Sequence, residues 1–228
     1  MASVLHQTIR FSSQRNRVML VCCAIMGLLL GGCFHEIGVP IWTKDTVVFY
    51  PDLVGQYHIV DGTAACQLTA GEDKTYTVSH FDAKGLPTPF LDGADKRTEV
   101  GQLRFVKLGE FTFMSYLIFK PGTKEYEEFL AQGFGIPQLV SRVSFNGKDI
   151  TLWYLPRPES KEPYDHDVLL DHAEIRTKEV VVRDAKTGES KKKRTIDMTT
   201  AELQAFLKKH GAEFTQKTGT YKWIGPVR

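Results

Sequence analysis

From Thr46 onward, apolar and polar residues alternate in short runs, the period-two pattern of strands with one buried face. "TVVFY" (46–50) and "VGQYHIV" (54–60) are rich in β-branched and aromatic residues and predict two strands. "ACQLTA" (65–70) predicts a third. Gly71-Glu72-Asp73 turns it into "KTYTVSHF" (74–81), where Tyr76 and Val78 alternate with Thr75, Thr77 and Ser79. A loop with Pro87, Pro89 and Gly93 follows. "TEVGQLRFVKL" (98–108) turns at Gly109-Glu110 into "FTFMSYLIFK" (111–120), which is apolar on both faces. Phe111, Phe113, Leu117 and Phe119 share one side; Met114, Tyr116 and Ile118 share the other. Such a strand needs a cover outside its sheet. In "QLVSRVSFNGKDITLWYL" (138–155), Asn146-Gly147 joins two alternating runs and predicts a tight hairpin.

Two segments switch to helical spacing. "KEYEEFLAQ" (124–132) places Tyr126, Phe129 and Leu130 on one face and ends at Gly133. "TTAELQAFLKKHG" (199–211) is better specified. Thr199 and Glu202 fit a capping box, and Leu203, Phe206, Leu207 and His210 share a face. Lys208 and Lys209 occupy the last turn, where the helix dipole favours positive charge, and Gly211 is the expected stop. This helix is expected to cover the outer face of the 111–120 strand. "TYKWIG" (220–225) is expected to close the sheet. The predicted fold is mainly β: an antiparallel meander curled into a small barrel or a two-layer sandwich. A C-terminal covering helix and an N-terminal signal segment complete it.

The first residues follow another pattern. Arg10, Arg15 and Arg17 precede 17 residues without a charge, Val18 to Phe34, and no acid occurs before Glu36. A basic start, an apolar run and a small-residue end define a secretory signal, and the run is short for a membrane-spanning helix. Its end, Leu30-Gly31-Gly32-Cys33, resembles the lipobox of bacterial lipoproteins. The resemblance implies acylation of the Cys33 thiol and cleavage just before it. Two or three acyl chains anchor durably, whereas one alone binds marginally. The expected organisation is a signal peptide at 1–32, a lipidated tether at 33–45 and a β domain at 46–228. Phe34 stands where the retention signal of many inner-membrane lipoproteins has Asp, which points to the outer membrane. The stretch from Cys33 to Lys44 spans at most about 40 Å, so the domain stays near the bilayer.

Removing the signal changes the charge picture. Its three arginines leave with it, and the formal charge falls from +2 to −1. A nucleic-acid partner normally requires a strongly basic surface, and none is left. Cys22 and Cys23 also leave, so Cys66 is the one cysteine besides Cys33 and no intrachain disulfide forms. Small and apolar neighbours in "TAACQLTA" predict a buried, inert thiol.

Five stretches resemble a group of small bacterial lipoproteins with lipocalin-like domains: "DLVGQY" (52–57), "YTVSHFDAKG" (76–85), "QLRFVKLGEFTF" (102–113), "IPQLVSRVSFNGKDITL" (136–152) and "TAELQAFLKKHG" (200–211). Gly55-Gln56-Tyr57 also resembles the Gly-x-Trp of a first lipocalin strand, with Tyr in place of Trp. The resemblance implies a calyx-like β fold and carries no activity with it.

Chemistry is sparsely signalled. Nucleophile elbow, zinc-protease helix, phosphate loop and dinucleotide fingerprint are all missing from the sequence. "YDHDVLLDHAE" (164–174) gathers Asp165, His166, Asp167, Asp171, His172 and Glu174, residue types that suit zinc-like ions. His166 and His172 are six apart, which suits one face of a strand and not of a helix. The alternative is a solvated loop or helix start after Pro163. His80 adjoins Ser79, but strand neighbours point to opposite faces, so His80 reads as a strand-end residue. "KTGESKKKR" (186–194) reads as a hairpin tip and basic strand. Lys191, Lys192, Lys193 and Arg194 either meet lipid phosphates or guard a solvated edge against aggregation. No cofactor is expected. The expected function is a non-catalytic, membrane-anchored lipoprotein that binds a partner protein or a small apolar ligand. The alternatives are a metal-dependent envelope enzyme built on 165–174 and a purely structural surface protein.

Overall fold

The computed structural model describes residues 35–37, 39–60, 65–81, 101–117, 121–131, 136–156, 168–183 and 190–227. In chain order the elements are β1 (His35–Ile37), β2 (Val47–Val48), β3 (Gly55–Ile59), β4 (Ala65–Ala70), β5 (Tyr76–Phe81), β6 (Gly101–Leu108) and β7 (Phe111–Leu117). Helix α1 (Lys124–Ala131) follows, then β8 (Ile136–Asn146), β9 (Asp149–Tyr154), β10 (Thr177–Arg183), β11 (Ser190–Ile196), α2 (Thr200–His210) and β12 (Gln216–Gly225).

Each of β3 to β8 pairs antiparallel with the next strand in the chain. The last strand, β12, pairs with β9 through its first half and with β3 through its second, from Gln216↔Tyr154 to Trp223↔Tyr57. That pairing closes an eight-stranded barrel and decides between barrel and sandwich. Closure removes the free edges on which open sheets aggregate. β10 and β11 form a separate two-stranded sheet outside the barrel.

Inward and outward positions follow the alternation. Tyr57, Cys66, Leu68, Tyr76, Val78, Leu103, Phe105, Met114 and Tyr116 belong to one buried cluster, the barrel interior. Val106, Leu108, Phe113 and Val140 point outward and meet Leu203, Phe206 and Leu207 of α2 in a second. The cover expected for the 111–120 strand is therefore α2. Burying each of these three helix side chains contributes about 1.5–3 kcal/mol.

Local signals explain the helix boundary. Thr199 Oγ1 accepts the Glu202 N–H at 3.3 Å, and Glu202 Oε2 accepts the Thr199 N–H at 2.8 Å. Arg176 adds a two-pronged bond to the same carboxylate at 2.8 and 2.9 Å. Gly211 departs from expectation. It stays right-handed (φ −57°) and leads into a 3₁₀ turn, Gly211–Glu213. The requirement for glycine is steric: a Cβ there would lie 2.3 Å from Phe111 Cδ2. The β8–β9 turn is also shifted by one residue. Asn146 pairs with Asp149, so Gly147 (φ +61°) and Lys148 form the turn. Glycine at the first turn position suits a hairpin of the II′ kind.

The described part of the 33–45 tether, from His35, is built into the domain. β1 pairs with the start of β8, and Ile41 is fully buried against the α2 side. Gln138, fully buried, accepts from Ser115 Oγ at 2.7 Å and donates to the Val39 carbonyl at 2.7 Å, pinning this segment to the wall. "TVVFY" is strand only at Val47–Val48. Phe49 and Tyr50 then turn inward and plug one end of the barrel against Tyr76, Phe105 and Phe145, at centroid distances of 4.9–5.7 Å. The Tyr76 hydroxyl receives the Tyr50 N–H at 2.6 Å and donates to its carbonyl at 2.9 Å. The signal segment expected at 1–32 lies outside the described residues.

Candidate functional site: a barrel cavity and a histidine–carboxylate cluster

Above the aromatic plug lies a cavity of about 140 Å³. Its walls are mostly apolar, with Leu68, Val78, Leu103, Met114, Leu139 and Leu152 facing it. The polar contributions are Cys66, His80, and the tyrosines 57, 116, 154 and 221. Register explains the grouping: Cys66 stands directly opposite His80 on one side and Tyr57 on the other. Ser79 lies on the opposite face from His80, as the alternation requires. His80 itself lines the cavity, which its reading as a strand-end residue did not anticipate.

At neutral pH none of these groups is charged. Burial pushes the His80 imidazole down to about 4 and the Cys66 thiol up to about 12. Burial also raises the Tyr116 and Tyr221 hydroxyls, with the nearby Cys66 among the lesser contributions. Among the described residues, no Asp, Glu, Lys or Arg lines the cavity. Cys66 is thus buried and held as the thiol, the inert form.

The second cluster lies outside the barrel, at the C-terminal end of α2. His210 is buried on the apolar face of that helix, and Nδ1 sits 2.6 Å from Glu213 Oε1. Its Nε2 is 3.2 Å from Glu174 Oε2, without the alignment of a hydrogen bond. His172 packs edge-on against His210, with centroids 4.6 Å apart, and its Nε2 is 3.8 Å from Glu213 Oε2. Phe206 packs on both rings at 4.7 and 4.6 Å. Burial opposes charge on His210, but the carboxylates of Glu213 and Glu174 outweigh it and raise its proton affinity. Lys209 and His210 hold Glu174 below the usual carboxylate range, and His210 does the same for Glu213.

Of the 165–174 stretch, Asp165, His166 and Asp167 lie outside the described residues. Asp171 is held by Arg194 at 2.6 Å, away from the histidines. His172 and Glu174 meet His210 and Glu213, two residues that the local sequence pattern did not connect with them. The signal available was His210 itself, a histidine on a buried helix face with a glutamate three residues on. In the basic strand, Lys192 pairs with Glu179 at 3.0 Å and Arg194 with Asp171, while Lys191 and Lys193 contribute backbone to β11. Leu30, Gly31, Gly32 and Cys33 lie outside the described residues. Among the described residues no helix is long and apolar enough to cross a membrane.

Fold and cavity together define an eight-stranded, antiparallel up-and-down β-barrel, consistent with a lipocalin-like fold. Comparison with known protein families, curated proteins and solved structures finds no match to this chain.

Proposed function

We propose that this protein is a lipid-anchored envelope protein whose barrel binds a small, neutral, apolar molecule. The observation that carries the ligand reading is the cavity: about 140 Å³, apolar-walled and uncharged at neutral pH. Pockets for drug-sized ligands run to about 300–1,000 Å³. A dry apolar cavity of about 150 Å³ holds benzene. The ligand is therefore of single-ring size. Binding is favoured over catalysis because burial holds His80 and Cys66 neutral, at about 4 and about 12, far from a working pKa near 7. The sequence Leu30-Gly31-Gly32-Cys33 supports an acylated Cys33 and membership of the lipoprotein group, and Phe34 just after it supports an outer-membrane location.

The test uses benzene and p-cresol as probes, with methyl NMR signals of Met114 and Leu152 as readout. Saturable shifts are expected, and they disappear in Val78→Phe, which fills the cavity. Unmoved signals at the highest soluble probe concentration refute the ligand reading. The anchor is tested separately by mass spectrometry of the native N-terminus. An acylated Cys33 is expected, and an intact chain from Met1 refutes it.

A further inference from the structure

We propose that His172, His210 and Glu213 bind one divalent transition-metal ion of the zinc class, with Glu174 orienting His210 from the other side of its ring. The site is independent of the barrel cavity. Its residues come from the segment before β10, the last residue of α2 and the 3₁₀ turn after it. One ligand atom each from His172, His210 and Glu213 lies within 4.8 Å of the others.

The geometry around His210 demands a cation. With Nε2 donating its proton towards Glu174 Oε2 at 3.2 Å, the neutral ring presents a bare Nδ1 to Glu213 Oε1 at 2.6 Å. Two acceptors at that distance repel unless positive charge lies between or beside them. Either a second proton supplies it or a metal does. Zinc bonds of 2.0–2.2 Å to N and O set tetrahedral ligand separations of about 3.3 Å, between the 2.6 Å of that contact and the 3.8 Å from His172 Nε2 to Glu213 Oε2. The contact from Nε2 to Glu174 Oε2 is of the carboxylate–histidine kind that orients metal-bound imidazoles. His172 requires one adjustment. Its Nδ1 accepts the Glu174 N–H at 3.2 Å, so ligation through Nε2 moves the ring proton to Nδ1. The exposed Glu174 amide then bonds water.

Charge and surroundings agree. Two carboxylates face the histidines, and the permanent cation touching them is Lys209, 2.7 Å from Glu174 Oε1. The neutral-histidine state of this group is therefore one negative charge in excess. Phe206 supplies an apolar wall. A cleft of about 640 Å³ beside His172 and Glu213 leaves room for water or another ligand on the ion.

The experiment takes full-length protein in detergent, stripped with a chelator, and titrates it with Zn²⁺ and then with Co²⁺ as a spectroscopic probe. One equivalent is expected to bind, with visible absorption typical of four- or five-coordinate Co²⁺. Zn²⁺ is expected to shift the imidazole NMR signals of His172 and His210 and leave His58 unmoved. His172→Ala and Glu213→Gln are expected to abolish stoichiometric binding. Glu174→Gln weakens it by about 10–100-fold, since Glu174 acts from behind a ligand. Asp171→Asn, engaged by Arg194, leaves it unchanged. Wild-type affinity in both His172→Ala and Glu213→Gln overturns the site. So does substoichiometric binding, or imidazole signals that ignore Zn²⁺, which leaves a protonated His210 as the cation between the carboxylates.

Discussion

His80 stands in an apolar cavity with its imidazole held neutral down to about 4, against 6.5 in the unfolded chain. A depressed folded pKa contributes stability that is present above the unfolded value and lost as pH falls towards the folded one. Between pH 6.5 and about 4, unfolding stability should fall by up to about 1.4 kcal/mol per pH unit, on the order of 3 kcal/mol in all. Urea midpoints measured across that window should show this slope, and His80→Gln should flatten it. Gly211 is a second residue whose role is set by one neighbour. Its φ suits alanine, yet an added Cβ would meet the Phe111 ring at 2.3 Å. Gly211→Ala should destabilise by about 1–3 kcal/mol, as overpacking does. Phe111→Leu should recover part of that loss in a double-mutant cycle, whereas a purely conformational effect would be additive.

Among the elements, α2 joins the most parts of the molecule. Its apolar face seals β6, β7 and β8, Gln204 donates to the Ile41 carbonyl at 2.9 Å, and its cap is tied to Arg176. Thr199→Ala should lower stability by about 0.5–2 kcal/mol through loss of the cap. Leu207→Ala should cost about 2–5 kcal/mol, because Leu207 is fully buried between helix and wall. Chemical denaturation measures both. The helix was legible in the sequence from cap to last turn, since capping boxes and 3.6-residue spacing are local. The meaning of its final glycine was not, because the clash that requires it lies across the chain at Phe111. The same division holds for the β8–β9 hairpin. Its existence was readable from Asn146-Gly147, while its one-residue shift depends on which residues pair across the ladder.

For the whole molecule, closure by β12 is the decisive contact. Truncation before Gln216 leaves β3 and β9 as open edges and exposes Tyr57 and Ile150. The truncated chain should aggregate, while the full chain stays dispersed; size-exclusion chromatography distinguishes them. The closed barrel also fixes the size of any interior ligand, since eight strands leave an interior that side chains nearly fill.

The sequence alone determined the barrel strands, the capped helix, the need for an outer cover on the 111–120 strand and the burial of Cys66. All of these follow from periodicity and neighbours a few residues apart. Only the tertiary structure decided that the meander closes and that His80 and Cys66, neighbours on adjacent strands, line a small cavity. It also brought His172 to His210 and Glu213, nearly forty residues away in the chain. Alternation says which residues share a face, but pairing register and helix docking decide which faces meet.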